Sequence, residues 1–181
     1  HSLEVMERVM YLGKKENVSE EEIEILAIAG LFHDTGFVIQ YDDNEYIGSK
    51  IAANYLKTTL YPKDKIKIIQ RLILATKASY KTPIDLLEKI IKDADLDNLG
   101  RDDFFEKKDK MKLELETIRE IKMKNPDWDH GSLQLLKEHN YYTETQKKER
   151  GDKKIENREI LEKMLNELDV DIQDPRYKLS Y

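Results

Sequence analysis

The chain has 181 residues, enough to bury a real core as one domain or as one domain with an appendage. Its formal net charge of −6 and pI of about 5.4, with Lys interleaved among Glu and Asp, leave no basic face of the kind that grips duplex DNA, and there is no aromatic-basic stripe for single strands. The absence of cysteine excludes disulfides, thiolate zinc sites and a Cys nucleophile together, while 38% charged residues with only seven Gly and four Pro favour charged-faced helices over an all-β fold.

In chain order, residues 1–15 place Leu3, Val5, Met6, Val9, Met10 and Leu12 at helical intervals, with Gly13 and Asn17 loosening the end. Ser19 and Glu22 form a Ser-x-x-Glu capping box ahead of the nearly continuous apolar run 23–32. Its small residues Ala27, Ala29 and Gly30 permit close helix approach, so this run is the expected centre of the core. It ends at His33-Asp34-Thr35-Gly36, with Gly36 as the stop. A polar loop over 37–43 leads to a helix over about 45–56. Tyr61-Pro62-Lys63-Asp64 restarts the chain into a buried helix carrying Ile66, Ile69, Leu72 and Ile73, and Thr82-Pro83 opens the next, with Ile84, Leu86, Leu87, Ile90 and Ile91 inward.

The acidic segment Asp93-Ala94-Asp95-Leu96-Asp97 follows that buried stretch directly. A long charged helix is expected over 102–124, a break at Pro126 and Trp128, shorter helices near 130–139, 141–150 and 153–168, and an irregular tail from Asp169. There is no internal repeat, no glycine-rich phosphate loop, no signal-peptide pattern and no apolar run near the about 18 residues a membrane span needs. With no cysteine, these features fit a cytoplasmic protein without membrane or nucleic-acid partners.

The chemistry centres on few residues. Of the four histidines, His33 is the informative one, because Asp34 follows it at the mouth of an apolar helix. A carboxylate there is costly without a partner. A divalent cation is one partner; a structural hydrogen bond to a helix end or an Arg is the other. Asp93, Asp95 and Asp97 stand at every second position, so Asp93 and Asp97 share a helix face while Asp95 points roughly the opposite way. One face points inward toward His33 and the others outward, and periodicity does not say which. His1 precedes a core-facing helix. Two imidazoles and two carboxylates suit a borderline divalent metal such as Mn, Fe, Co, Ni or Zn. Near His130, Trp128 reads as packing and the histidine as a helix start, and Tyr141-Tyr142 as packing.

In order and spacing, His1, His33-Asp34-Thr35-Gly36 and Asp93-Ala94-Asp95-Leu96-Asp97 resemble the H…HD…D signature of the HD-domain superfamily of metal-dependent phosphohydrolases. The resemblance covers residues 1 to about 101. It extends to Ala75-Thr76-Lys77 and Leu99-Gly100-Arg101-x-x-Phe104 of a bacterial subgroup with a C-terminal helical extension, here residues 102–181 packed on the core of a single structural domain. It implies an all-α helical bundle around a central metal, with His1, His33, Asp34 and Asp95 as ligands. Asp95 is chosen over Asp93 because the family's last ligand stands about five residues before the Leu-Gly turn.

The chain departs from that pattern at Phe37, where many members carry Lys, and at Asn44 and Thr76-Lys77, where some carry the further histidines of two-metal sites. These departures imply a single divalent ion (Mn, Fe, Co, Ni, Zn or Mg) and argue against oxygenase chemistry. The expected activity is hydrolysis of a phosphate ester, of a nucleotide or a related small phosphorylated compound, by a metal-activated water. In that scheme Asp34 ligates and orients the water, Lys77 and Arg101 hold phosphate oxygens, and Glu45 protonates the leaving oxygen. The alternative is a non-catalytic module of the same fold that binds a nucleotide or a protein partner.

Overall fold

The computed structural model describes residues 1–80 and 82–173. Among them there is no strand, and no helix is long and apolar enough to cross a membrane. They fall into two compact units, the first His1–Asp97 with Tyr141–Lys147, the second Asn98–Asn140 with the chain from Lys148 onward.

In the first unit the helices are α1 (Ser2–Lys15), α2 (Glu20–Phe32), α3 (Asn44–Thr58), α4 (Lys63–Ala75) and α5 (Leu86–Asp95). Of the six apolar residues expected from spacing, helix α1 buries Val5, Val9 and Leu12 and leaves Leu3 and Met10 exposed, and it ends where Asn17 takes a left-handed φ of 58°. Helix α2 begins at the expected box: the Ser19 hydroxyl accepts from Glu22 N at 3.2 Å, and Glu22 Oε2 accepts from Ser19 N at 2.8 Å. These two bonds satisfy donors that every helix start leaves orphaned. Ser19→Ala is expected to lower stability by about 1 kcal/mol in urea titrations at neutral pH. The hydrogen bonds from Ser19 hold the Glu22 carboxyl below its usual 4.5. A depressed acid stabilises the fold above its unfolded value and loses that contribution as pH falls through the folded one. The gap between wild type and Ser19→Ala should therefore narrow when the titration is repeated below that range.

Helices α1 and α2 pair antiparallel at close range. A Cβ on Gly30 would lie 3.3 Å from the backbone of Met6, and one on Gly13 would lie 2.9 Å from the Ile23 side chain. The core of this unit gathers Val9, Leu12, Leu26, Ala29, Ala52, Ile69, Leu72, Ile73, Ile90 and Ile91, drawn from all five helices. Helix α5 starts later than Thr82-Pro83 suggested. Asp85 caps it by accepting from Glu88 N at 2.9 Å, and Ile84 stays outside at 71% exposure.

The second unit holds α6 (Phe104–Arg119), α7 (Asn125–Glu138) and the greater part of α8 (Glu144–Gln173). Pro126 lies in the first turn of α7, where its missing N–H costs nothing. Phe104, Leu133, Leu136, Leu161 and Leu165 are buried. The buried Asn157 donates to the carbonyls of Leu99 (3.0 Å) and Arg101 (2.9 Å). The two helices expected over 141–150 and 153–168 are one: α8 runs through Gly151 without a break. The irregular tail expected from Asp169 is helical to Gln173, and its remainder lies outside the described residues.

Candidate metal centre

The antiparallel pairing of α1 and α2 places the first residue of one beside the last of the other. His1 caps α1 and His33 follows Phe32 at the end of α2, and their rings meet edge to face with centroids 5.2 Å apart. Asp95, the last residue of α5, completes the group. Its Oδ1 stands 3.0 Å from His1 Nε2 and 3.2 Å from His33 Nε2. Asp34 approaches the same two nitrogens, with Oδ2 3.2 Å from His33 Nε2 and 3.8 Å from His1 Nε2. Among the described residues, His1, His33 and Asp95 form a group whose ligand atoms all lie within 4.8 Å of one another; Asp34 touches this group without belonging to it.

His33 shows what the site is prepared for. It is 1% exposed, and its Nδ1 donates to the Gly30 carbonyl at 2.7 Å, which fixes the ring and directs Nε2 at the carboxylates. Nε2 is buried and makes no hydrogen bond of acceptable geometry. A buried polar atom left so is costly. An imidazole that donates through one nitrogen and offers the lone pair of the other is also the form that binds metal ions. Atoms bound to one ion at about 2.1 Å are separated by roughly 3.0–3.4 Å, close to the separations seen here. The donors therefore fit a divalent ion. Without one, burial lowers the His33 pKa, but the approach of the Asp34 and Asp95 carboxylates to Nε2 outweighs it and raises the pKa to about 10. A proton and a cation serve the same end there: each offsets two carboxylates facing one pocket.

The turn after His33 is set by packing. Thr35–Val38 is a single 3-10 turn, and the Thr35 hydroxyl donates to the Phe32 carbonyl at 2.7 Å. Gly36 does not end α2 through a left-handed conformation, as its position suggested, since no glycine here has a positive φ. It is required because a Cβ at that position would stand 1.9 Å from the Asn44 carbonyl oxygen. Gly48 makes the matching close approach from α3, 3.0 Å from the Phe32 oxygen. Gly36→Ala should push the His-Asp turn away from α3 and lower stability by about 3 kcal/mol, measurable by urea titration.

The remaining expected residues lie as follows. Glu45 is in the first turn of α3, half-buried, and its charge acts on Lys77. Lys77 follows α4 and is ion-paired with Asp43; that hydrogen bond is the main cause of its raised pKa. Arg101 belongs to the second unit and closes its guanidinium fork on Asp103, Nε to Oδ1 at 2.8 Å and Nη2 to Oδ2 at 2.6 Å.

The other two acids of the alternating segment do not point outward as expected. Asp93 is fully buried and Asp97 is 6% exposed. Burial pushes the Asp93 carboxyl up to about 6, against hydrogen bonds from Thr143 and Tyr142 that lower it. Both acids are met by Tyr141–Lys147, a part of the first unit that spacing did not associate with the site. A Thr-x-x-Gln pattern at Thr143 and Gln146, the mark of a helix start, was the one available signal.

A family model described as HD domain matches residues 1–97, more than half of the chain. The chain belongs to the HD domain family, an all-α fold whose members bind divalent metals and are usually hydrolases. No curated protein and no solved structure matched it.

Proposed function

We propose that the protein is a metal-dependent phosphohydrolase that cleaves a phosphate ester of a nucleotide or related small phosphorylated compound. The observation that carries this reading is His33 Nε2, buried and without a hydrogen bond, held by the Gly30 carbonyl to face Asp34, Asp95 and His1. These four residues would hold one ion, from Mn, Fe, Co, Ni or Zn, with Mg the hardest acid of the set. Such an ion lowers the pKa of a bound water toward neutrality and polarises a phosphoryl oxygen.

The chain's own groups have distinct tasks. His33 fixes the ring plane through Nδ1. Asp34, close to both imidazoles yet outside the tightest group, orients the attacking water and accepts its proton. Glu45 delivers a proton to the leaving oxygen. Lys77 exchanges its exposed partner Asp43 for a phosphate oxygen, an inexpensive exchange because water screens a surface ion pair.

The pairing of Arg101 with Asp103 and of Lys77 with Asp43 favours one rival, a module of the same fold that binds a nucleotide or partner without turnover. The test is hydrolysis of a nucleotide panel and an aryl phosphate after loading with each metal, beside elemental analysis. Turnover with about one metal per chain is the expected result, and metal without turnover on any substrate selects the module. Chelator should lower the melting temperature of the loaded protein; at free metal one hundred times Kd the difference is about 2.7 kcal/mol. An unchanged melting curve would count against a bound ion under either reading.

A further inference from the structure

Asp95 is flanked two residues away on each side by a buried acid, and both acids are held by one short segment from far along the chain. Asp93 Oδ1 accepts from Tyr142 N at 2.8 Å, and Asp93 Oδ2 accepts from Thr143 N and from the Thr143 hydroxyl, each at 2.7 Å. Gln146 Nε2 donates to Asp97 Oδ1 at 2.9 Å and to the Asp93 carbonyl at 3.2 Å. The Tyr141 hydroxyl donates to the Leu96 carbonyl at 3.2 Å. Every residue from 93 to 97 except Ala94 and Asp95 is thus bonded to this segment, so the backbone that presents Asp95 is tethered on both sides of it.

The same segment also reaches α1. Arg8 Nε lies 2.9 Å from Asp97 Oδ1 and donates to Gln146 Oε1 at 3.0 Å, while Thr145 N donates to Glu16 Oε1 at 3.0 Å. Arg8 stands seven residues, two helical turns, after His1 and so on the same face of α1. The arrangement departs from an ordinary helix start. In a capping box the Gln at the third position would bond back to the backbone N–H of Thr143, but Asp93 takes that N–H and Gln146 turns instead to Asp97 and Arg8. Gln146 is fully buried, and both ends of its amide are engaged.

We infer that Tyr141–Lys147 is a brace for the metal centre: through Thr143 and Gln146 it holds α1 and the end of α5 in the register that brings His1 and Asp95 to one ion. Thr143 and Gln146 are positioning residues, not ligands. The inference rests on the proposed metal site and deepens it. It gives part of the chain beyond the HD domain match a role in that site.

The test uses the full chain, with Co(II) alone as the probe, read by its visible absorption and by calorimetric titration. Thr143→Val and Gln146→Leu, made separately, remove the side-chain bonds of the brace at nearly constant volume and leave the backbone bonds to Asp93 in place. Leu56→Ala, about 12 Å along α3 from Gly48, is the control that lowers stability without touching the brace. Each brace variant should bind Co(II) about tenfold or more weakly than wild type, the scale on which groups that orient ligands act, with an altered absorption spectrum. Leu56→Ala, at a comparable loss of metal-free melting temperature, should bind with wild-type affinity and spectrum, and Thr143→Ser should behave as wild type. Wild-type affinity and spectrum in both brace variants, or losses equal to that of Leu56→Ala, would overturn the brace while leaving the metal site standing. Failure of wild type to bind Co(II) would instead overturn the site on which the brace depends.

Discussion

His33→Ala should abolish metal retention and, with it, all turnover above that of chelated wild type. Removal of a group that merely orients a ligand costs about 10–100-fold in metal affinity, so loss of the ligand itself should cost at least about 100-fold. The imidazole is the one donor of the group that is fully inside the protein, and its orientation is set by a backbone carbonyl that no side-chain substitution alters. A neighbour therefore cannot replace it. The substitution also leaves Asp34 and Asp95 around a small cavity with only the exposed His1 imidazole beside them, so the purified variant should be less stable than metal-free wild type. The check is elemental analysis of both proteins purified in parallel, followed by melting curves with and without chelator. If His33→Ala keeps a full equivalent of metal, the ligand assignment is wrong however the activity responds.

The second large effect is expected away from the metal. Glu88 is fully buried on α5, and its Oε1 meets Arg71 Nη1 at 2.5 Å. Its Oε2 accepts from the Tyr80 hydroxyl and from Ile84 N, both at 2.9 Å. Arg71 also holds Asp85 at 2.7 Å, and hydrogen bonds with both acids raise its pKa despite the opposing effect of burial. Removing the cation strands a carboxylate in the interior, a change that costs about 3–5 kcal/mol in comparable pairs. Arg71 is one-third exposed (34%), so water reaches part of the gap and the lower end, about 3 kcal/mol, is expected for Arg71→Met. The double variant Arg71→Met with Glu88→Met should recover much of that loss, because no buried charge remains. Urea titrations of the two single variants and the double decide it. A loss under about 1 kcal/mol for Arg71→Met would show that Tyr80 and Ile84 N suffice to hold Glu88.

Much of this protein is written locally in its sequence. The all-helical class follows from spacing and from the scarcity of turn residues, and the Ser19–Glu22 box starts α2 where the pattern places it. His33-Asp34 at the end of an apolar run marks the centre, because a carboxylate in that position needs a partner wherever the rest of the chain goes. Other features depended on partners distant in sequence. Periodicity put Asp95 opposite Asp93 and Asp97, yet all three face protein, because residues 141–147 supply donors about 50 positions away in the chain. Gly36 looked like a helix stop, but its small size answers the Asn44 carbonyl across a turn. Two helices were expected over 141–150 and 153–168, yet α8 continues through Gly151, the roughly 1 kcal/mol penalty of a helical glycine being small beside the burial of Leu161 and Leu165 on the same helix. Helical class and the residue types able to hold an ion are set locally, since propensity and periodicity act over a few residues. Which acids meet the imidazoles and which meet the brace is set by the folded chain, since burial of a charge is settled by whatever donors that chain brings to it.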